Sequence, residues 1–133
     1  MGAGIAQTCA VAGHDVVLCD VAPGALDRAE RSIASSLGRL VKKEALGERE
    51  SEEARGRIAM RDSLEGLEEA GVVIEAVYES VAVKRDVWSQ LAAATSEGAL
   101  LATNTSSLSV TEVAASAGDR SASAACISST RCR

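Results

Sequence analysis

The chain has 133 residues, 47% of them hydrophobic, and a formal net charge of −5. That length allows one domain of ordinary size, with enough apolar content for a real core. The acidic balance argues against a nucleic-acid surface and offers no basic patch for a membrane, and no apolar run is long enough to span a bilayer. The start lacks a secretory pattern. Cys9, Cys19, Cys126 and Cys132 form no C-x-x-C pair, so they read as reduced thiols of a cytoplasmic protein, not as a metal site or disulfide frame. There is no Phe, one Trp and one Tyr, an odd shortage for a packed domain.

Gly2 to Asp20, GAGIAQTCAVAGHDVVLCD, reads as a glycine-opened helix, a Gly13-His14 turn and a short apolar strand ending on a carboxylate. Gly2 lets the first helical turn press against a sheet or a diphosphate. Ile5, Ala6, Cys9 and Ala10 recur at helical spacing with small side chains. Val16-Val17-Leu18-Cys19 reads as a buried strand, and Asp20 sits at its carboxyl end, where open α/β sheets bind ligands. This is the second half of a dinucleotide fingerprint, with Gly2 as its last glycine and an acidic residue about 20 residues beyond the motif. A carboxylate there accepts hydrogen bonds from ribose hydroxyls and repels a 2′-phosphate, which favours NAD over NADP. The first strand and first two glycines of the fingerprint are missing. By itself one glycine and one aspartate are equally compatible with an ordinary helix-turn-strand.

Pro23 is expected to pre-set the first turn of a long helix, with Leu26, Ala29, Ile33, Leu37, Leu40 and Val41 on its apolar face down to Gly47. Arg28, Arg31, Ser32, Arg39, Lys42 and Lys43 lie on the other face, which is most simply a solvated one. Ser51-Glu52-Glu53 is expected to cap a second, shorter helix through Met60, and Leu64 to Ala70 to add a turn or two. Gly71 to Val77 reads as a buried strand interrupted by Glu75, a carboxylate that is costly there unless hydrogen-bonded or near the strand end. Glu79 follows in the ligand-binding zone. Val83, Val87, Leu91 and Ala94 mark an amphipathic helix, and Lys84 in its first turn opposes the helix dipole. Ala99 to Ala102 is the next strand, Thr103-Asn104-Thr105-Ser106-Ser107 a polar loop, and Val110 to Ala117 a short helix. Alternating strands and helices imply a parallel sheet covered on both faces.

GAGIAQ…AGHDVVLCD, VVIEAVYES-x-x-VK and ATNTSSLSVTE together resemble the NAD-binding domain of 3-hydroxyacyl-CoA dehydrogenases, including the bacterial 3-hydroxybutyryl-CoA type, from Met1 to about Arg120. The first motif is shared by many dinucleotide enzymes, and the second and third are far more specific. The resemblance implies an α/β fold, a Rossmann-type doubly wound parallel sheet, incomplete because its first strand is missing. It implies NAD as cofactor and an acyl-CoA substrate. The reaction would be oxidation of L-3-hydroxyacyl-CoA to 3-ketoacyl-CoA, or its reverse, in a family whose intact members form homodimers through a second, helical domain. Residue by residue, it places Gly2 near the diphosphate, Asp20 on the adenosine ribose, and Glu79 and Lys84 near the nicotinamide half. Ser106 would contact the reacting oxygen and the cofactor, with Asn104 beside it, and Ser36 and Lys43 would touch the CoA portion.

The departures from the family pattern are equally specific. Its histidine general base, held by a glutamate, opens an H-F-F-N-P motif, whereas the sole histidine here is His14, read as structural. Residues 1–120 are therefore expected to be a partial Rossmann domain and 121–133 a tail outside the family pattern. A nucleotide string that encodes Ser121 to Arg133, shifted by two bases, reads R-V-G-G-M-H-F-F-N-P, so a frame change near Arg120 is expected, which also accounts for the missing phenylalanines. The chain as written is then an inactive cofactor-binding fragment. A non-catalytic nucleotide-binding remnant, or a chain that folds poorly, is the alternative. The 3-hydroxyisobutyrate and 6-phosphogluconate dehydrogenase group shares the glycine motif and A-G-H turn, but Asp20, Glu79 and the NTSS loop favour the acyl-CoA group.

Overall fold

The computed structural model describes residues 1–104 and the backbone of 124–126. The expected helix over Val110 to Ala117, and Ser106, lie outside the described residues. The chain divides into two compact units, Met1–Ser63 and Leu64–Arg133.

The first unit opens with α1 (Gly2–Val11), which buries Ala6 and Ala10, the small residues that let a helix approach its neighbours closely. Gly13 at φ +94° reverses the chain in a conformation that side chains disfavour, and the His14 N–H closes the turn on the Cys9 carbonyl. Next comes β1 (Val16–Cys19), then α2 (Ala25–Lys42), which buries Ile33 and Leu37 and carries Asp27 in its first turn with Arg39 and Lys42 in its last. Pro23 does not fill the first helical turn as expected; it lies in the turn before Gly24, whose φ of +69° launches the helix. The shorter helix α3 (Glu48–Gly56) also starts earlier than Ser51, because the Glu50 side chain accepts the Gly47 N–H at 2.9 Å and fixes the helix start there.

Ile58 to Met60 are not the end of that helix but part of β2 (Ile58–Arg61), which pairs in parallel with β1, Val16 opposite Ile58 and Cys19 opposite Arg61. Four residues carry too little pattern to announce a strand; the partner supplies the ladder.

The second unit contains β3 (Val72–Glu75), α4 (Val81–Ala94), β4 (Leu100–Thr103) and β5 (Ala124–Cys126) in a parallel sheet of order β3-β4-β5. The expected strand over Gly71 to Val77 is shorter, ending at Glu75. The buried line of α4 is Lys84, Trp88 and Leu91, whereas Val83 is exposed. The apolar periodicity anchored on Val83 is off by one position, because the residue that owns the inward place is a lysine. The strands are parallel throughout, as expected, but fall into a two-stranded and a three-stranded sheet. Among the described residues β1 and β3 each pair along one edge only. Val17 and Val72 are 39% and 56% exposed, not the buried strand residues that their sequence suggests.

Candidate functional site

In the first unit the residues of interest are Asp20 after β1, Gly2 at the start of α1, and Ser36 and Lys43 on and just past α2. Asp20 follows β1 directly, is exposed, and its Oδ1 accepts the Ala22 N–H at 2.9 Å in a local turn that holds the carboxylate. Gly2 is the first residue of α1, a helix that no side chain caps and whose first turn contains no acid. Backbone N–H groups at such an end, with the positive end of the helix dipole, suit a phosphate. Ser36 is half-buried on α2 and Lys43 is exposed just past its end. His14 is exposed in the turn between α1 and β1. A cleft of this unit, about 580 Å³, is lined by Glu30, Ile33, Glu52, Arg55, Ile58 and Met60, and by none of the residues expected to bind cofactor.

In the second unit the geometry is built around Glu75. Its side chain is buried at the carboxyl end of β3. Lys84 Nζ donates to both its oxygens, at 2.8 and 3.0 Å. Oε1 also accepts the Val77 N–H at 2.7 Å. Oε2 accepts the Thr103 hydroxyl at 2.7 Å and the Trp88 indole N–H at 3.4 Å. Lys84, Trp88 and Thr103 are all fully buried. A buried ion pair of this kind persists only when its remaining hydrogen-bonding capacity is met, and here it is. Lys84 Nζ also lies 3.9 Å from Oε2 of Glu79, whose side chain is 36% exposed. Asn104, half-buried, follows Thr103 and donates its N–H to the Glu75 carbonyl at 2.8 Å.

The structure thus brings Glu79, Lys84 and Asn104 into one neighbourhood and places Gly2, Asp20, Ser36 and Lys43 in the other unit. Sequence reasoning missed Thr103 and Trp88 as partners of Glu75. The signal was present in two oddities, a carboxylate inside an apolar strand and a lysine opposing a helix dipole, nine residues apart. Each is costly alone, and each explains the other. Among the described residues no cluster of histidine, cysteine and acidic residues could hold a metal, and no helix is long and apolar enough to cross a membrane.

Over residues 1–126 the sequence matches the family described as 3-hydroxyacyl-CoA dehydrogenase, NAD binding domain. The chain belongs to that family. A 3-hydroxybutyryl-CoA dehydrogenase of Clostridioides difficile is 38% identical over 116 residues, covering 87% of this chain and 41% of the relative. The crystal structure of (S)-3-hydroxybutyryl-CoA dehydrogenase from Ralstonia eutropha superposes with a TM-score of 0.89 at 38% identity, covering 95% of this chain and 44% of that one. The corresponding enzyme of Escherichia coli K12 gives 0.87 at 35% identity, covering 95% and 26%. The fold is therefore of the Rossmann dehydrogenase type, and the family's cofactor is NAD. The chain spans about two fifths of the length of the curated relatives it matches.

The residues present fit that cofactor. An exposed carboxylate at a strand's carboxyl end suits a ribose diol, and an uncapped helix start suits a diphosphate.

Proposed function

We propose that this chain is the NAD-binding part of a dehydrogenase that interconverts L-3-hydroxyacyl-CoA and 3-ketoacyl-CoA. The observation that carries the reading is Asp20, exposed at the end of β1 and held by its own Asx turn beyond an uncapped α1. Gly2 and Asp20 serve the adenosine end of the cofactor; Glu79 and Lys84 serve the nicotinamide end. Bound there, NAD would supply the hydride acceptor for the hydroxyl-bearing carbon. Ser106 donates a hydrogen bond to the reacting oxygen, Asn104 shapes that loop, and Ser36 and Lys43 hold the CoA portion, where the lysine pairs with phosphate. The full enzyme works as a cytoplasmic homodimer.

The chain binds cofactor without turning it over, because the reaction needs a histidine base beside the substrate hydroxyl. Its sole histidine, His14, sits in the turn after α1.

Titration with NADH and NADPH by cofactor fluorescence tests the reading, with Asp20→Asn as the companion. The asparagine keeps an oxygen for the Ala22 N–H and removes only the charge. NADH should bind more tightly than NADPH, and the variant should narrow the gap by about tenfold, the effect of losing one close like-charge repulsion. An unchanged ratio would place the discrimination elsewhere, and no NADH binding at all would remove the reading. Acetoacetyl-CoA with NADH should give no turnover.

A further inference from the structure

Glu75 has no role in the cofactor reading, yet it ties together the chain segments that lead to the cofactor residues. Its Oε1 takes the Val77 N–H and so fixes the exit of β3 toward Glu79. Its carbonyl takes the Asn104 N–H, and its Oε2 takes the Thr103 hydroxyl, fixing the exit of β4 toward the NTSS loop. Both carboxylate oxygens hold Lys84 Nζ. Stability alone is a weak reason for such a residue, since buried ion pairs are often replaceable by apolar side chains without loss. What an apolar side chain could not supply is a fixed place for an ammonium, a hydroxyl and a backbone N–H at once. We propose that Glu75 is a positioning residue for cofactor binding, one that does not touch NAD but sets Lys84 Nζ and the two strand exits in place. The inference rests on the NAD-binding reading of Glu79, Lys84 and Asn104.

The test uses the whole chain. The first arm needs no cofactor: amide exchange at Val77 should quicken in Glu75→Asp. That variant keeps the charge, but is one methylene too short to reach Lys84, Thr103 and the Val77 N–H together. The second arm titrates NADH well below the melting midpoint of each protein. Glu75→Asp should weaken binding by about tenfold or more, as small displacements of binding groups do, and Thr103→Val by about threefold. Leu91→Ala opens a cavity in the same core without touching the carboxylate, and should leave NADH affinity within about twofold while lowering the midpoint. A merely structural Glu75 would make affinity follow stability in all three variants, which overturns the proposal. So does an unchanged Val77 exchange rate, or an Asp variant that binds NADH like the wild type. If Glu75→Asp does not fold, Thr103→Val decides alone by the same criterion. Failure of the wild-type chain to bind NADH brings down the cofactor reading and this inference with it, and is distinguished by occurring before any substitution.

Discussion

Met1–Ser63 buries Ala6, Ala10, Ile33, Leu37 and Ala54, whereas the described part of the second unit buries Glu75, Lys84, Thr95 and Thr103 beside Leu67, Trp88, Leu91, Ala99, Leu101 and Ala102. The first interior is aliphatic and small, and its charged groups stay in water, Asp20 and Lys43 among them. The second keeps a full charge pair dry and satisfies it with a hydroxyl, an indole and a backbone N–H. Residues that meet a ligand from an open surface can be changed one at a time. Residues that act through a buried network stand or fall together. The residues proposed to bind cofactor in the two units therefore differ in how far their effects should spread.

Breaking the network gives the largest expected effect. Lys84→Met strands the Glu75 carboxylate without its cation in a dry core, and should destabilise the second unit by about 3–5 kcal/mol. The double variant Glu75→Gln with Lys84→Met should recover most of that, because no unpaired charge remains. Urea unfolding followed by the fluorescence of Trp88, the chain's single tryptophan, reads both. A double variant no more stable than Lys84→Met would show that the pair contributes through something other than charge compensation.

In the first unit the comparable insult is a cavity. Leu37→Ala removes a fully buried side chain of α2. The loss should be about 2–4 kcal/mol, toward the lower part of the range for leucine truncation, since half-buried neighbours such as Leu40 and Val41 can settle inward. Amide exchange in α2 and β1 measures it locally. A cost above that of Lys84→Met would reverse the comparison.

Thr103→Val should cost less, about 1–2 kcal/mol, because Oε2 of Glu75 loses one donor but keeps Lys84 and Trp88. Non-additivity with Lys84→Met in a double-mutant cycle is the sharper readout. Additive losses would mean that the threonine and the lysine do not share one network.

What could be read from the sequence follows from the same contrast. Helix α1, its glycine turn and β1 were legible because each depends on local signals: small residues at helical spacing, a glycine at the turn, a short β-branched run. The parallel order and the family were legible from motif spacing. Strand β2 was not, because Ile58 to Arg61 becomes a strand only by pairing with β1, more than forty positions earlier in the chain (Val16↔Ile58). Neither was β5, whose run of small residues in the tail carries no strand pattern and which pairs with β4. The buried face of α4 was misplaced because periodicity counts apolar residues, and Lys84 is inward only by virtue of Glu75. Non-local partners, not weak propensities, separate the two sets.

The smallest expected effect belongs to the first unit and concerns the Cys19 thiol. Cys19 ends β1, half-buried, with its S–H directed at the Ser63 carbonyl 3.3 Å away. Burial raises its pKa, and the Arg61 guanidinium, across the ladder, partly offsets the rise. The folded chain therefore prefers the protonated thiol more than the unfolded chain does. A raised folded pKa means a stabilising contribution that is fully present below the unfolded value, ~8.5 for a free cysteine, and lost as pH rises through the folded value. Ionisation also turns the donor to Ser63 into a charge facing a carbonyl oxygen. Unfolding midpoints in urea should thus fall between pH 8 and 10 by slightly more in the wild type than in Cys19→Ala, in which nothing at that position titrates. Parallel curves for the two proteins would show that the alkaline loss comes from other groups and that Arg61 compensates the thiolate fully. A steeper fall in the alanine variant would contradict the direction of the shift.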